Sequence, residues 1–482
     1  MLIIDPDLDA FFHVMINKVE RRFFEDTLIL EPDCFIDEAA ADLPVVIFVL
    51  RVNPVLIKIM VRLVKEYKAE KKFLVFFCPR YTALCKEILE EGTVLKSLDI
   101  HELSFELMPL EKDVLTLDDN ASFRNLILGY NYQPLTMVKH SLQRIEAVYG
   151  RIPLKFAKGS WSCSVLDALQ GKESKQERPD ENQFPEIDVL VLIDRTVDLF
   201  TPLLTQMTYE GVIDEFFNIK SGIIKVDEHI VDPETKGPTG TKTMYLFSEE
   251  DIMFGETRDL HFNLMKEQFP KKFEEMKSLC EKKNAFKTVS EMTEYVRRLR
   301  KLKIPQLKNF FNLNFNLLAH LDAQVAKTAF KQVLEMEIKM ITSDDVPKEV
   351  IQTLEMEISK CENRTQLLRI MCLLSLVNNG LSKDTYNSLT KEFVDAFGIS
   401  ELMRILNLDR AGILRKERTA TAWKGLKDTF KLINEETKIT STPDDISYSY
   451  NIYAPLSVRV VDRLIDNAWT GSESTFALHY VS

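Results

Sequence analysis

Apolar residues follow two rhythms along this chain, and the change from one to the other divides it. Over the first 118 residues, unbroken apolar runs alternate with stretches of helical spacing. Pro44–Arg51 (PVVIFVLR) and Lys72–Arg80 (KFLVFFCPR) read as strands covered on both faces, as in a parallel sheet. Between them Leu56, Ile59, Met60, Leu63 and Val64 recur along Val55–Lys68 at the period of an amphipathic helix. Leu2–Ile4 makes a short first strand and Leu103–Leu110 a later one. This strand–helix alternation predicts a doubly wound parallel sheet. Helical spacing runs from Ser122 to Gly150, and the apolar run Ile187–Ile193 starts a second α/β unit.

Beyond residue 248 the strands stop and helical periodicity continues to about residue 435. Thr288-Val-Ser-Glu291 reads as a capping box, in which the threonine oxygen takes the N3 amide and the glutamate reaches back. After it Met292, Tyr295, Val296, Leu299 and Leu302 form one apolar face. Asp259–Lys283 and Thr288–Lys303 therefore read as the arms of a helical hairpin, with Pro305 ending or kinking the second arm. Arg364–Asn378 is apolar on nearly every side and belongs at the centre of a bundle. Gly171–Asn182 and Asp227–Thr243 carry the composition of exposed loops. The order is α/β first and all-α second.

With 482 residues the chain exceeds what one core supports, so two to four domains are expected. A net charge of −12 argues against bulk nucleic-acid binding. The seven cysteines contain no CxxC pair and read as free thiols of a reducing compartment. The most apolar runs are too short, or too interrupted by Lys58 and Arg62, for a membrane span. A cytoplasmic protein is the expectation, with any membrane contact made through partners.

Candidate chemistry centres on Asp194 and Asp198, at the C-terminal end of the Val189–Ile193 run. Phosphatases that form an aspartyl-phosphate place a second carboxylate two residues beyond the first, and here that position is Thr196. Arg195 between the two acids points to a structural ion-pair network rather than a metal site. GPTGTKT (Gly237–Thr243) lacks the glycine before Lys242 that a phosphate loop needs, and no GxGxxG is present. No HExxH and no GxSxG occurs. These absences predict no enzyme activity, no cofactor and no metal. One charge pattern stands out: Lys266–Lys303 holds twelve basic against six acidic residues. It reads either as a solvated helical face or as a docking surface for an acidic partner helix or an anionic membrane.

The string Asp194–Glu215 (DRTVDLFTPLLTQMTYEGVIDE) resembles the hallmark segment of the SM family, the Sec-one/Munc-eighteen-like proteins that bind syntaxins and other SNAREs. Its motif positions are Asp194, Arg195, Asp198, Thr201, Pro202, Tyr209, Glu210 and Gly211. Ile47–Met60, Phe105–Asp118 and Tyr149–Pro153 are similar to further family segments. Leu367–Leu381, Leu406–Leu414 and Asp445–Leu464 are similar to the class C vacuolar protein sorting branch in particular.

The resemblance implies an SM-type arch of two Rossmann-like parallel-sheet domains and an inserted helical domain. It implies a first α/β domain at 1–118 and a second in two pieces, 119–247 and 444–482. The helical domain would hold a SNARE-template hairpin at 248–325 and a tether-docking bundle at 326–443. Carried over residue by residue, Lys282, Lys283, Tyr295, Arg297, Arg300 and Pro305 would face syntaxin-type and R-type SNAREs. Lys391, Ile399 and Leu402 would dock a helical-repeat subunit of the class C complex. The implied role is SNARE assembly within a HOPS- or CORVET-type tether on late endosomes and lysosomes or vacuoles. Family members continue past the point near Trp469 where the match fades, so the C-terminal part of the second sheet is expected to be missing. Two rival readings remain: a partner-binding scaffold without SNARE activity, and a phosphotransferase using Asp194 and Asp198.

Overall fold

The computed structural model describes residues 1–8, 12, 27–31, 43–67, 71–103, 107–170, 184–231, 240–246, 248, 251–281, 304–343, 347–417, 423–466 and 479–481. They fall into two compact units. The first is Met1–Asp119 with Ile219–Ile224 and Met244–Phe247; the second is Asn120–Asn218, Lys225–Thr243 and Ser248–Ser482.

The first unit holds five strands: β1 (Leu2–Ile4), β2 (Thr27–Ile29), β3 (Val45–Arg51), β4 (Lys72–Cys78) and β5 (Leu98–Glu102). They lie in the order β2-β1-β3-β4-β5, all parallel, with Leu2 opposite Ile47 and Val45 opposite Lys72. Helix α1 (Pro54–Tyr67) buries Leu56, Ile57, Met60, Val61, Leu63 and Val64. These pack with Phe48, Leu50, Phe73, Val75 and Phe77 into one core. Phe48 and Phe73 stack with ring centroids 6.1 Å apart. Each such side chain contributes about 1.5–3 kcal/mol when fully buried. Helix α2 (Ala83–Glu91) opens on Thr82, whose hydroxyl accepts from the Cys85 amide.

The strand expected at Leu103–Leu110 is displaced. The sheet strand is β5, and the described part of 103–110 contributes only Met108–Pro109, paired with Leu115–Thr116. β5 is the last strand in the order, and its Asp99, His101 and Glu102 are exposed, so it lacks the apolar run of its neighbours.

In the second unit α3 (Gln133–Tyr149), β6 (Leu154–Lys158), α4 (Ser160–Gln170) and β7 (Val189–Ile193) form an α/β layer. β6 and β7 are parallel, Leu154 opposite Val189 and Lys158 opposite Ile193. This sheet therefore begins one strand earlier than the run at Ile187–Ile193. The C-terminal strand β8 (His479–Val481) pairs antiparallel with β6. Thr241–Tyr245, read as the end of a loop, is a strand with Lys242 exposed on it.

Helices fill the rest: α5 (Tyr209–Phe217), α6 (Phe262–Glu281), α7 (Ile304–Val325), α8 (Thr328–Thr342), α9 (Lys348–Ser359), α10 (Arg364–Val377), α11 (Lys383–Phe397), α12 (Ser400–Arg410), α13 (Trp423–Phe430) and α14 (Leu456–Asp466). α10 is the axis of this core, with Ile370, Met371, Cys372, Leu373, Leu374 and Val377 all buried. The same cluster takes Phe200 and Leu204 from the segment after β7, Met336 and Met340 from α8, and Trp423, Tyr453 and Val460 from the C-terminal part.

Candidate functional site

Asp194 follows the end of β7 and caps the start of the one-turn helix Arg195–Val197, accepting from the Thr196 amide at 3.2 Å and from the Thr196 hydroxyl. Its other oxygen crosses to α4 and takes the amides of Trp161 (3.0 Å) and Ser162 (3.4 Å). In a doubly wound sheet a helix N-terminus at the carboxyl end of a strand is where a bound phosphate would sit. Here the protein's own carboxylate occupies it. Gly159, at φ +98°, lets the backbone approach; a Cβ there would collide with the Asp194 carboxylate.

Asp198 is 1% exposed and equally committed. It accepts from the Thr201 amide (3.0 Å), the Thr201 hydroxyl (2.7 Å) and the Ser457 amide (3.0 Å) at the start of α14. The Tyr453 phenol shares a hydrogen bond with Thr201 Oγ1 at 3.1 Å and accepts from the Leu456 amide. Burial, with Asp198 nearby, pushes the Tyr453 phenol up from its ordinary value. Arg195 donates to the Asp198 carbonyl at 3.1 Å. The network is thus one of carboxylate caps on amides and hydroxyls, not the ion-pair arrangement expected from Arg195. Pro202 fits because it stands in the first turn of the short helix Thr201–Leu203.

Thr208 caps α5 through the Gly211 amide, and a Cβ on Gly211 would press the Gln206 side chain at 2.7 Å. Glu210 pairs with Arg258 at 2.6 Å. Tyr209 is fully buried and donates to Asn314 Oδ1 (2.9 Å), whose amide donates to Asp251 (2.7 Å). Burial raises both the Tyr209 phenol and the Asp251 carboxyl. Of the motif residues, Asp194, Asp198 and Tyr209 are therefore buried fasteners and Gly211 is buried; Thr201 and Glu210 are half-buried, and Arg195 and Pro202 are exposed.

The two surface sites differ. Lys282, Lys283, Tyr295, Arg297 and Arg300 lie outside the described residues. So do the capping box at Thr288 and the second hairpin arm. The first arm is α6, with Pro270 inside it. Pro305 is the second residue of α7 and so helps to open that helix, where the sequence suggested an end or kink of the preceding arm. Two of the lysines counted in the basic stretch already have partners: Lys266 meets Asp322 at 2.9 Å, and Lys272 meets Glu256.

The corner between α11 and α12 lies within the described residues. Lys391 is exposed, and Ile399 projects with 73% of its surface accessible. Leu402 is half-buried, whereas Met403 (60%) and Leu406 (41%) are exposed and lie four and seven residues beyond Ile399. The periodic face is thus Ile399, Met403 and Leu406, and sequence reasoning missed its last two members. Glu401 anchors it from beneath, 1% exposed and 3.2 Å from Arg364.

No three His, Cys, Asp or Glu side chains gather as metal ligands among the described residues. No described helix is long and apolar enough to cross a membrane. A cavity of about 870 Å³ lies between α13 and α14. Its cations are largely engaged: Arg459 with Asp445 (2.6 Å), Lys427 with the Thr342 carbonyl, and Arg463 with the Thr429 carbonyl.

The profile of the Sec1 family matches residues 13–480, nearly the whole chain. The chain belongs to the Sec1 family. Among curated Sec1-type relatives, the vacuolar protein-sorting-associated protein 33 homolog of Arabidopsis thaliana is 31% identical over 85% of this chain and 67% of its own length. Vacuolar protein sorting-associated protein 33A of Rattus norvegicus is 28% identical over 91% of this chain and 75% of its own. The SM protein Vps45 in complex with the Qa SNARE Tlg2 superposes with a TM-score of 0.61 at 16% identity, over 100% of this chain and 84% of that one. The Unc18–syntaxin 1 complex from Monosiga brevicollis gives 0.60 at 14%, with the same coverage. This Sec1 chain therefore has the SM fold, and its hallmark string is the set of fasteners described above. Asn314, Tyr453 and Ser457 complete those fasteners; Tyr453 and Ser457 lie in the Asp445–Leu464 segment that resembles the family, but nothing in the sequence ties any of the three to the motif.

Proposed function

We propose that this Sec1-family chain is a SNARE-binding assembly factor and a subunit of a class C vacuolar-sorting tether of the HOPS or CORVET type. The observation that carries the reading is the 31% identity, over 85% of the chain, to a relative named for vacuolar sorting. The Qa SNARE and syntaxin in the complexes of its fold relatives support the choice of ligand. We assign SNARE contact to the hairpin that begins with α6, through Lys282, Lys283, Tyr295, Arg297, Arg300 and Pro305. Docking of a helical-repeat tether subunit falls to the α11–α12 corner, with Ile399, Met403 and Leu406 as anchors and the exposed Lys391 of α11 as a polar contact. Membrane attachment at endosomes and lysosomes or vacuoles follows through those partners.

The action needs no covalent step. SNARE motifs are disordered alone, so ordering several together has a large entropic cost. A surface that aligns two of them raises their effective concentration and disfavours wrong pairings. The test is fluorescence anisotropy of a labelled syntaxin-type SNARE motif titrated with the purified chain and with Lys282→Glu/Arg297→Glu/Arg300→Glu. Saturable binding that the triple variant weakens at least tenfold is expected. Equal binding by both removes the hairpin assignment. No binding by a folded chain favours the scaffold reading.

A further inference from the structure

One polar cluster inside the second unit takes no part in the surfaces above. It joins Thr205, in the segment before α5, to Glu215 on α5, Glu337 on α8, and Gln366 and Arg369 on α10. The Thr205 amide donates to Glu337 Oε2 at 2.9 Å and its hydroxyl to Oε1 at 2.8 Å. Arg369 Nη1 lies 2.6 Å from Glu215 Oε2, and Gln366 donates to the other Glu215 oxygen at 2.6 Å. Arg369 Nη2 donates to Thr205 Oγ1 at 2.8 Å but stands 3.5 Å from Glu337 Oε1. The side chains of Glu215 and Glu337 are only 9% and 5% exposed.

Two buried carboxylates thus share one guanidinium. With both ionised, a negative charge is left uncompensated where water cannot solvate it. The guanidinium sits closer to Glu215, so the excess falls on Glu337.

We propose that this cluster is a proton-linked latch, in which Glu337, the carboxylate left without a full counter-charge by the shared guanidinium, takes up a proton and then holds the Thr205 segment more firmly to α8 and α10. In the ionised form the Thr205 hydroxyl donates to Oε1. A proton on Oε1 reverses that bond: the acid donates to Thr205 Oγ1, whose two lone pairs can accept it together with Arg369 Nη2. Only a hydroxyl rotation is needed. Burial pushes the Glu337 carboxyl up to about 7, against the downward pull of Arg369 and the Thr205 donors. The charged groups that act on Glu337 itself are Arg369 and Glu215, and Glu337 in turn acts on the Tyr450 phenol, as do Asp198, Asp214 and Arg195. On α8 itself Glu335 and Lys339 face solvent.

The direction follows from linkage. The folded value, about 7, exceeds the ordinary 4.5, so the proton's stabilisation is complete below the unfolded value and is lost as pH rises through the folded one. Between about pH 6 and pH 8 the unfolding constant should rise roughly tenfold from this group alone.

The experiment is urea unfolding of the full chain at about pH 6, 7 and 8, beside Glu337→Gln. Glutamine copies the neutral form, its carbonyl accepting the Thr205 amide and its NH₂ donating to Oγ1. The wild-type unfolding constant is expected to rise about tenfold more than the variant's across this range. Parallel profiles would overturn the latch. Infrared difference spectra of the wild-type chain guard against a variant that fails to fold. A protonated, buried carboxylic acid band must grow as pH falls from about 8 to 6, and its absence refutes the proposal.

Discussion

Within the second unit, the Asp194–Gly211 segment and the α11–α12 corner each break the rule of apolar inside and polar outside, in opposite directions. The first buries carboxylates, a phenol and hydroxyls; the second exposes isoleucine, methionine and leucine on one helical face. In the first, each acid is consumed by donors of its own chain. In the second, nothing among the described residues covers Ile399, whose 73% exposure is that of a residue kept for a partner. A charged motif at a strand end is therefore architecture here, and an apolar corner is the better candidate for recognition.

The comparison can be broken most forcefully at Asp198. Asp198→Ala removes the shared acceptor of two amides and the Thr201 hydroxyl and should cost about 4 kcal/mol in urea unfolding. A loss below about 1 kcal/mol would mean that the buried network does not hold the fold. Asp194→Asn keeps an acceptor for α4 but weakens a charge-assisted cap. It should cost about 2 kcal/mol, and phosphate-ester turnover should be absent before and after the change. Turnover that depends on Asp194 would reinstate the phosphotransferase reading. The smallest stability change belongs to Ile399→Asp/Met403→Asp, within about 0.5 kcal/mol, since both side chains are exposed. The same pair should abolish co-elution with a helical-repeat class C subunit; unchanged co-elution would move the docking surface elsewhere.

Much of this could be read from the chain. β3, β4 and α1 follow their apolar runs, and α10 lies at the centre as its all-round apolar character requires. The misses have physical causes. β6 reads Leu-Lys-Phe-Ala-Lys, and its two lysines break the apolar run that marks a buried strand. Yet Lys155 is only 8% exposed, with its ammonium 2.8 Å from Glu146 and 2.7 Å from the Ile152 carbonyl. A paired buried charge hides a core strand from any reading by hydrophobicity. β5 was missed for the reverse reason, because the last strand in the sheet tolerates Asp99, His101 and Glu102. At the candidate sites the motif residues and the structural role of Asp194 and Asp198 were visible, but the donors they fasten to were not. That role depends on Ser457, Tyr453 and Asn314, whose meaning exists only once the chain is folded.

The hydrogen bond from the Ser457 amide to Asp198 joins residues 259 positions apart. A ribosome adds about 5–20 residues per second, so the Asp198 carboxylate waits between roughly ten seconds and a minute for its last donor. Throughout that interval the second unit is an unfinished object with its acids solvated and its core open. Synthesis therefore imposes an order on assembly. The first unit's sheet can close while the chain is still short, and the second unit can lock only when nearly the whole chain has emerged.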